Sequence, residues 1–256
     1  MSARLEHKTY ATLKQLCQLR GFQGEPPNVW LVGPVGSGKT SAAAQVARDL
    51  GLPFRFNGAI DNEYKLRGFL DAQGRLISPP FRQAFEHGGV YLFDECDASM
   101  PGAVLAFNSA LSNGVCDFPD GEVPRHPDCI IIAAANTWGQ GATHAYVGRM
   151  KQDAAFLDRF LQLSWDYDEE LEHAMSGNRQ WTSRVQAIRA AVAELGIQHI
   201  VSPRASYWGA VLLASGVPED QVLAMKVRGS LDDKQWKEVL DEEQRWQMIL
   251  SLGSNT

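Results

Sequence analysis

No run of about 18 apolar residues occurs anywhere in the 256 residues, so nothing in the chain reads as a membrane-spanning helix. The opening Met1-Ser2-Ala3-Arg4-Leu5-Glu6 lacks the apolar core of a secretory signal, and the expected location is the cytoplasm. Cysteine is scarce: Cys17, Cys96, Cys116 and Cys129 lie far apart without a CxxC pair, which favours plain thiols over a zinc site or a disulfide framework. An excess of basic residues is missing too. Net charge is −6, and from residue 166 onward fourteen acidic residues stand against nine basic ones. Bulk charge therefore gives no support to non-specific nucleic-acid binding, which would need a locally basic channel instead. Repeats and low-complexity segments are absent. With 45% hydrophobic and 21% charged residues, the composition is that of a folded globular chain, long enough for one large domain or a medium domain with a small companion.

What is present starts at Gly33-Pro34-Val35-Gly36-Ser37-Gly38-Lys39-Thr40, directly after the apolar run Val29-Trp30-Leu31-Val32 and directly before an alanine-rich helical pattern. The glycines let successive backbone N–H groups curl around an anion without Cβ clashes. Lys39 has the reach for β- and γ-phosphates, and the Thr40 hydroxyl suits Mg²⁺. The candidate nucleotide-contacting set is Gly33, Pro34, Val35, Gly36, Ser37, Gly38, Lys39, Thr40 and Ser41. A glycine-rich turn with a chance lysine is the bland alternative. It is disfavoured because the full eight-residue spacing, the preceding strand and the following helix are all present.

Around this loop the pattern is α/β. A helix is expected over residues 1–20, strands at 54–57, 90–93, 129–134 and 161–164, a short helix at 81–86 and a helix over 101–111. Residues 61–77 read as an inserted hairpin of two short extended pieces with Phe69-Leu70 at its apolar tip, and 115–125 as a second hairpin around Pro119-Asp120-Gly121. After residue 166 only helical patterns carry weight, at 169–175, 184–195, 203–214, 219–227 and 233–250. The expected division is an α/β domain at 1–165 and a helical domain at 166–256.

The run Val90-Tyr91-Leu92-Phe93 ends in Asp94-Glu95, the pattern of a buried parallel strand presenting acids at its C-terminal edge, where open α/β sheets bind ligands. Asp94 there would hold Mg²⁺, and Glu95 would orient or deprotonate an attacking water. Asn136 closes the next apolar run and offers a neutral amide that positions water or the γ-phosphate.

Together these motifs resemble AAA+ ATPases over residues 28–206. Residues 33–40 look like a Walker A motif, 90–95 a Walker B motif, Asn136 a sensor-1 residue, Leu157-Asp158-Arg159-Phe160 an arginine-finger segment and Ser202-Pro203-Arg204 a sensor-2 segment. Within that class the chain is most similar to the MoxR and dynein-related branch, near the small ATPase subunit of cobalt chelatase and related phage-borne ATPases. The two hairpins match insertions of that branch. A departure is Thr137-Trp138 after Asn136, where MoxR members commonly show Asn-Pro.

The resemblance implies a P-loop NTPase fold with a five-stranded parallel sheet and a C-terminal helical lid, ATP and Mg²⁺ as cofactors, and a homo-oligomeric, hexameric ring. It also implies that Arg159 completes a neighbouring subunit's site, with Arg149 as a competitor, and that Arg204 reaches the γ-phosphate from the lid. Two kinds of work fit such a ring. One is remodelling or threading a protein partner, often one with a von Willebrand A-type domain; the other is driving or loading nucleic acid. Residues 61–75 hold three acids and three bases, and 117–125 three acids and one base, so neither hairpin is a phosphate-tracking groove and the protein partner is favoured. A nucleotide kinase is disfavoured by the set Glu95, Asn136 and Arg159, which serves water activation and subunit coupling.

Overall fold

The computed structural model describes residues 5–22 and 24–253, the side chains of 250–253 apart. Two compact units emerge, one built from residues 9–34 and 38–166, the other from 5–8, 35–37 and 167–253.

The first unit is organised by five parallel strands: β1 (Val29–Val32), β2 (Phe54–Asn57), β3 (Gly89–Phe93), β4 (Cys129–Ala135) and β5 (Leu161–Ser164), in the spatial order β2-β3-β4-β1-β5. Every residue of β1, β3 and β4 is buried, whereas the edge strands β2 and β5 are largely half-buried or exposed. That contrast explains the sequence: strands covered on both faces are continuous apolar runs, and edge strands admit Arg55 and Gln162. One face packs Trp30, Phe81, Phe85, Tyr91, Phe93 and Phe107 into an aromatic core. The other receives helices α1 (Tyr10–Gln18) and α2 (Lys39–Leu50), whose Ala42, Ala43, Val46 and Ala47 lie close against it. Small side chains permit that close approach. Gly51 ends α2 at φ 67°, donating its N–H to the carbonyls of Ala47 and Arg48. Helix α3 (Pro80–His87) leads into β3 and supplies Phe81, whose ring lies 4.7 Å from Phe107 and 5.1 Å from Tyr91.

Several local expectations need correction. The helix read over 1–20 covers Tyr10–Gln18, and residues 1–4 lie outside the described residues. Residues 101–111 form two short helices, Pro101–Leu105 and Asn108–Ser112, because the chain turns at Ala106 to sink Phe107 fully between Phe81, Tyr91 and Phe93. Residues Tyr64–Arg67 are a helical turn that buries Leu66, not an extended piece. Phe69–Leu70 and Leu76–Ile77 then pair antiparallel, so Phe69-Leu70 is a strand and the tip is the polar turn from Asp71 to Gly74. Asp71 shapes that turn by accepting from the backbone N–H groups of Gln73 and Arg75, both at 2.9 Å. The second hairpin pairs Val115–Phe118 with Gly121–Pro124.

The second unit is helical: α4 (Glu169–Ser176), α5 (Arg179–Glu194), α6 (Pro203–Ala214), a short helix Glu219–Leu223 running into a π turn at Ala224–Arg228, and α7 (Asp233–Gly253). Asp168 and Asn178 cap α4 and α5 by accepting from Leu171 N–H and Trp181 N–H. Trp181, Val185, Ile188, Val201, Val222 and Val239 form its apolar centre. Beside them the buried Glu172 is satisfied by both guanidinium arms of Arg189, at 2.9 and 2.6 Å, by Gln186 at 3.3 Å and by the Ser206 hydroxyl at 2.5 Å.

Two glycines in helices predict opposite outcomes. A Cβ on Gly102 would meet open space, so Gly102→Ala should stabilise by about 0.5 to 1 kcal/mol through the loss of backbone freedom in the unfolded chain. A Cβ on Gly209 would fall 2.3 Å from the Trp181 indole, so Gly209→Ala should destabilise by about 1 to 3 kcal/mol despite alanine's better helix propensity. Denaturant titration of the two variants against the parent checks both signs.

Candidate functional site

Parallel strands in register leave the sheet on the same edge. The last residues of β1 and β4, Val32 and Ala135, are register partners, and Gly33 N–H donates to Ala135 O at 3.2 Å. This sets Asn136 beside the glycine-rich loop. The β2/β3 pairing continues as Asp94 N–H donates to Asn57 O at 2.8 Å, which sets Asp94 at the same edge.

Lys39 is buried. Its ammonium donates to the carbonyls of Gly33 at 2.6 Å and Pro34 at 3.0 Å, and to Asn136 Oδ1 at 3.0 Å. The loop thus closes on its own lysine, and the Asn136 amide holds the same nitrogen. Gly36 and Gly38 sit at φ 80° and 90°, left-handed values that admit glycine readily, and Gly38 is followed at once by α2. The first N–H groups of that helix have no intrahelical acceptor and point where an anion would lie.

Thr40 Oγ1 donates to Asp94 Oδ2 at 2.7 Å. A hydroxyl and a carboxylate in contact, both at the surface end of their elements, form a hard-oxygen donor pair that suits Mg²⁺. Ser41 follows on the first turn of α2 and is exposed.

Glu95 has φ 51° and ψ 36°, and among the described residues no other non-glycine has a positive φ. Such a conformation costs on the order of 1 kcal/mol or more and concentrates at functional positions. Its backbone N–H is held by Asp94 Oδ1 at 3.0 Å, while its side chain stays 56% exposed. The thiol of the next residue, Cys96, is fully buried and its pKa is pushed up by desolvation, so it stays a neutral packing group. The four cysteines are all free and buried.

A residue that sequence reading passed over organises this edge. Asp97 is completely buried, and its Oδ2 accepts from Asn136 N–H at 3.1 Å, Thr137 N–H at 2.9 Å and the Thr137 hydroxyl at 2.8 Å. Arg149 lies with one guanidinium nitrogen 3.5 Å from Asp97 Oδ1 and another 3.8 Å from Glu95 Oε1. The signal was a third carboxylate in Asp94-Glu95-Cys96-Asp97. Its burial followed from chain geometry that spacing does not reveal.

Arg159 is not brought to this edge. It precedes β5, whose Leu161 is level with Val29 at the start of β1, roughly 13 Å along the strand from the glycine-rich loop at about 3.3 Å per residue. There its guanidinium donates to the Ser112 hydroxyl and the Ala155 carbonyl. Phe156 and Phe160 on either side pack edge-on against Trp30, at 6.0 and 5.3 Å.

In the helical unit, Val35 O accepts from the Tyr167 hydroxyl at 2.9 Å, and a Cβ on Gly36 would come within 3.1 Å of the Ser202 Cβ. Arg204, in the first turn of α6, is exposed and makes no ion pair among the described residues.

The family described as "ATPase family associated with various cellular activities (AAA)" matches residues 29–156. No curated protein matches. Among solved structures the chain is similar to NtrX from Brucella abortus, at TM-score 0.56 and 15% identity over 93% of this chain and 60% of that one. A structure of the same protein in complex with ADP gives TM-score 0.54 and 14% identity, over 93% and 58%. A mutant RuvB from Thermotoga maritima gives TM-score 0.51 and 14% identity, over 84% and 64%. The chain thus spans less than two thirds of the length of these structures, and at such identities they speak for the fold, an α/β P-loop arrangement around a five-stranded parallel sheet. The matched segment is half of the 256 residues and contains the glycine-rich loop, Asp94, Glu95 and Asn136, and the chain belongs to the ATPase family associated with various cellular activities.

Proposed function

We propose that the chain is a Mg²⁺-dependent ATPase that works as a homo-oligomeric, hexameric ring and remodels or threads a protein partner. The observation that carries the catalytic part is the convergence of Lys39, Thr40, Asp94, Glu95 and Asn136 on one sheet edge, tied by hydrogen bonds of 2.7 and 3.0 Å. The backbone N–H groups of residues 33–41 would cradle the phosphates, and Lys39 would exchange its loop carbonyls for phosphate oxygens. Thr40 and Asp94 would hold Mg²⁺, which when bound neutralises charge on the phosphate oxygens. Asn136 would orient the terminal phosphate or water, and Glu95, exposed at the end of β3, would take the proton of the attacking water. Arg204 would reach the γ-phosphate from the helical unit, and Arg159 would serve the next subunit from the opposite edge of the sheet.

The choice of a protein partner is supported by the hairpins. Lys65 pairs with Asp61 at 3.0 Å, Arg67 with Asp117 at 2.8 Å, Arg75 with Asp71 at 2.8 Å and Arg82 with Asp120 at 2.8 Å. Lys65, Arg67 and Arg75 are thus balanced locally, while Phe69, Leu70 and Ile77 remain 45 to 47% exposed. A surface with neutralised charge and exposed apolar side chains fits a polypeptide better than a phosphate backbone. The hairpins also support placement in the MoxR and dynein-related branch, and with it a partner carrying a von Willebrand A-type domain.

Lys39→Ala should lose nucleotide binding, whereas Glu95→Gln should keep it and reduce turnover by about 10² to 10⁴. Titration with a fluorescent ATP analogue beside a phosphate-release assay separates the two, and wild-type turnover in Glu95→Gln would remove the water-activating role. Arg159→Ala should lower turnover by about 10³ to 10⁵ with ATP affinity held within a few-fold. Mixed rings of Arg159→Ala and Lys39→Ala subunits should regain part of the activity; no recovery in rings shown to be mixed would end the trans assignment. Replacing residues 69–77 by a two-residue turn should leave nucleotide affinity unchanged and abolish stimulation by the partner. Loss of soluble protein instead would make the segment part of the core.

A further inference from the structure

The contacts of Asp97 and Arg149 exceed what holding a loop requires. Asp97 lies at 0% exposure, and its Oδ2 is saturated by three donors from Asn136 and Thr137. Its Oδ1 accepts no hydrogen bond and has the Arg149 guanidinium at 3.5 Å. A buried carboxylate needs a countercharge, and Arg149, itself only 12% exposed, provides it. The backbone repeats the link. Asp97 O accepts from Met150 N–H at 2.7 Å, which pins the loop carrying Arg149 next to that arginine, and Gln152 N–H donates to Gly139 O at 2.8 Å, which closes the loop on itself. The second arm of Arg149 extends to Glu95 Oε1 at 3.8 Å. One carboxylate therefore joins the end of β3, the first amides after β4 and the only guanidinium near Glu95 among the ion pairs of the described residues.

We propose that Asp97 and Arg149 are positioning residues of their own chain's active site: Asp97 holds Asn136 and Arg149 in one frame, and Arg149 sets the direction of the Glu95 carboxylate. This rests on the reading of Glu95 as the water-activating group. It assigns Arg149 a role within its own subunit, in place of the competing role as a finger for its neighbour. The physical basis is that Glu95 sits on a strained, left-handed backbone with an exposed side chain, so backbone geometry alone leaves several rotamers open. A guanidinium anchored by a buried partner selects among them. A displacement of about 1 Å at such a group costs about 10² in rate.

The test compares Asp97→Asn, Arg149→Ala and Arg149→Lys with the parent in the full chain. Asp97→Asn keeps the size and one acceptor for Thr137 but removes the charge that anchors Arg149. The expected result for Asp97→Asn and Arg149→Ala is a fall of about 10² in kcat, with KM and the affinity for a fluorescent ADP analogue unchanged within two- to threefold. Arg149→Lys should recover part of kcat, because it keeps a cation facing Asp97. A merely structural role would instead lower nucleotide affinity and thermal stability together with kcat in all three variants. Should Arg149→Ala fail to fold, Arg149→Lys still decides, since a lysine that left kcat at the parent level would overturn directional positioning.

Mixing separates the cis role from the trans one. Arg149→Ala combined with Lys39→Ala should show no recovery, and recovery would overturn the assignment within the chain. Glu95→Gln is measured in parallel. Parent-level turnover there would defeat the reading of Glu95 itself, whereas an inactive Glu95→Gln beside a fully active Arg149→Ala would defeat only the positioning proposal.

Discussion

Parallel pairing in register is the constraint on which the rest depends. Because Val32 is level with Ala135, and β3 pairs with β4 from Gly89↔Cys129 to Phe93↔Ala133, three apolar strands release their chains on one side. Backbone polar groups inside the sheet are satisfied strand to strand, so each exit is where the strand ladder ends and the chain can turn into a loop that carries polar groups. Gly33, Asp94 and Asn136 are those exits. The site is assembled by where burial stops.

At that edge the electrostatics are arranged in two layers. The outer layer is exchangeable: Thr40 on Asp94, and the buried Lys39 on loop carbonyls and Asn136, are contacts that a cation and an anion could replace. The inner layer is buried and fixed, with Asp97 fully enclosed and bound to backbone N–H groups that have no other acceptor. Removing a buried charge partner costs far more than removing an exposed one, so the inner layer holds its shape while the outer one changes partners. The left-handed backbone of Glu95 lies between the two, and the surrounding sheet and turn sustain its strain.

The helical unit uses the same device. Glu172 is buried and met by Arg189, Gln186 and Ser206, which ties α4, α5 and α6 at one point. Arg189 also lies over the Tyr167 ring at 4.5 Å, and the Tyr167 hydroxyl donates to Val35. Ser206 is two residues from Arg204 on the same helix, so the exposed arginine stands on a turn whose neighbour is locked.

Much of the frame was legible in the residues. Apolar runs at 29–32, 90–93 and 129–134 mark strands buried on both faces, because only continuous apolarity survives two packed faces. The glycine-rich loop was legible because its chemistry is local: spacing, a lysine and a hydroxyl suffice. Where long-range packing decides, local pattern misleads. Residues 101–111 have helical periodicity, yet the pull of the aromatic core on Phe107 breaks them in two. Tyr64–Arg67 coils to bury Leu66, and Phe69-Leu70 becomes a strand because Asp71 makes the turn. Asp97 and Arg149 are separated by more than fifty residues, and nothing in their spacing tells which arginine meets which acid. By itself the sequence determined the strands, the phosphate loop and the acids at the strand end, each set by neighbours in the chain. Only the tertiary structure decided that Asp97 is enclosed, that Arg149 faces Glu95 and that Arg159 stands at the far edge, because a charge takes its partner from whatever the fold places within about 4 Å of it.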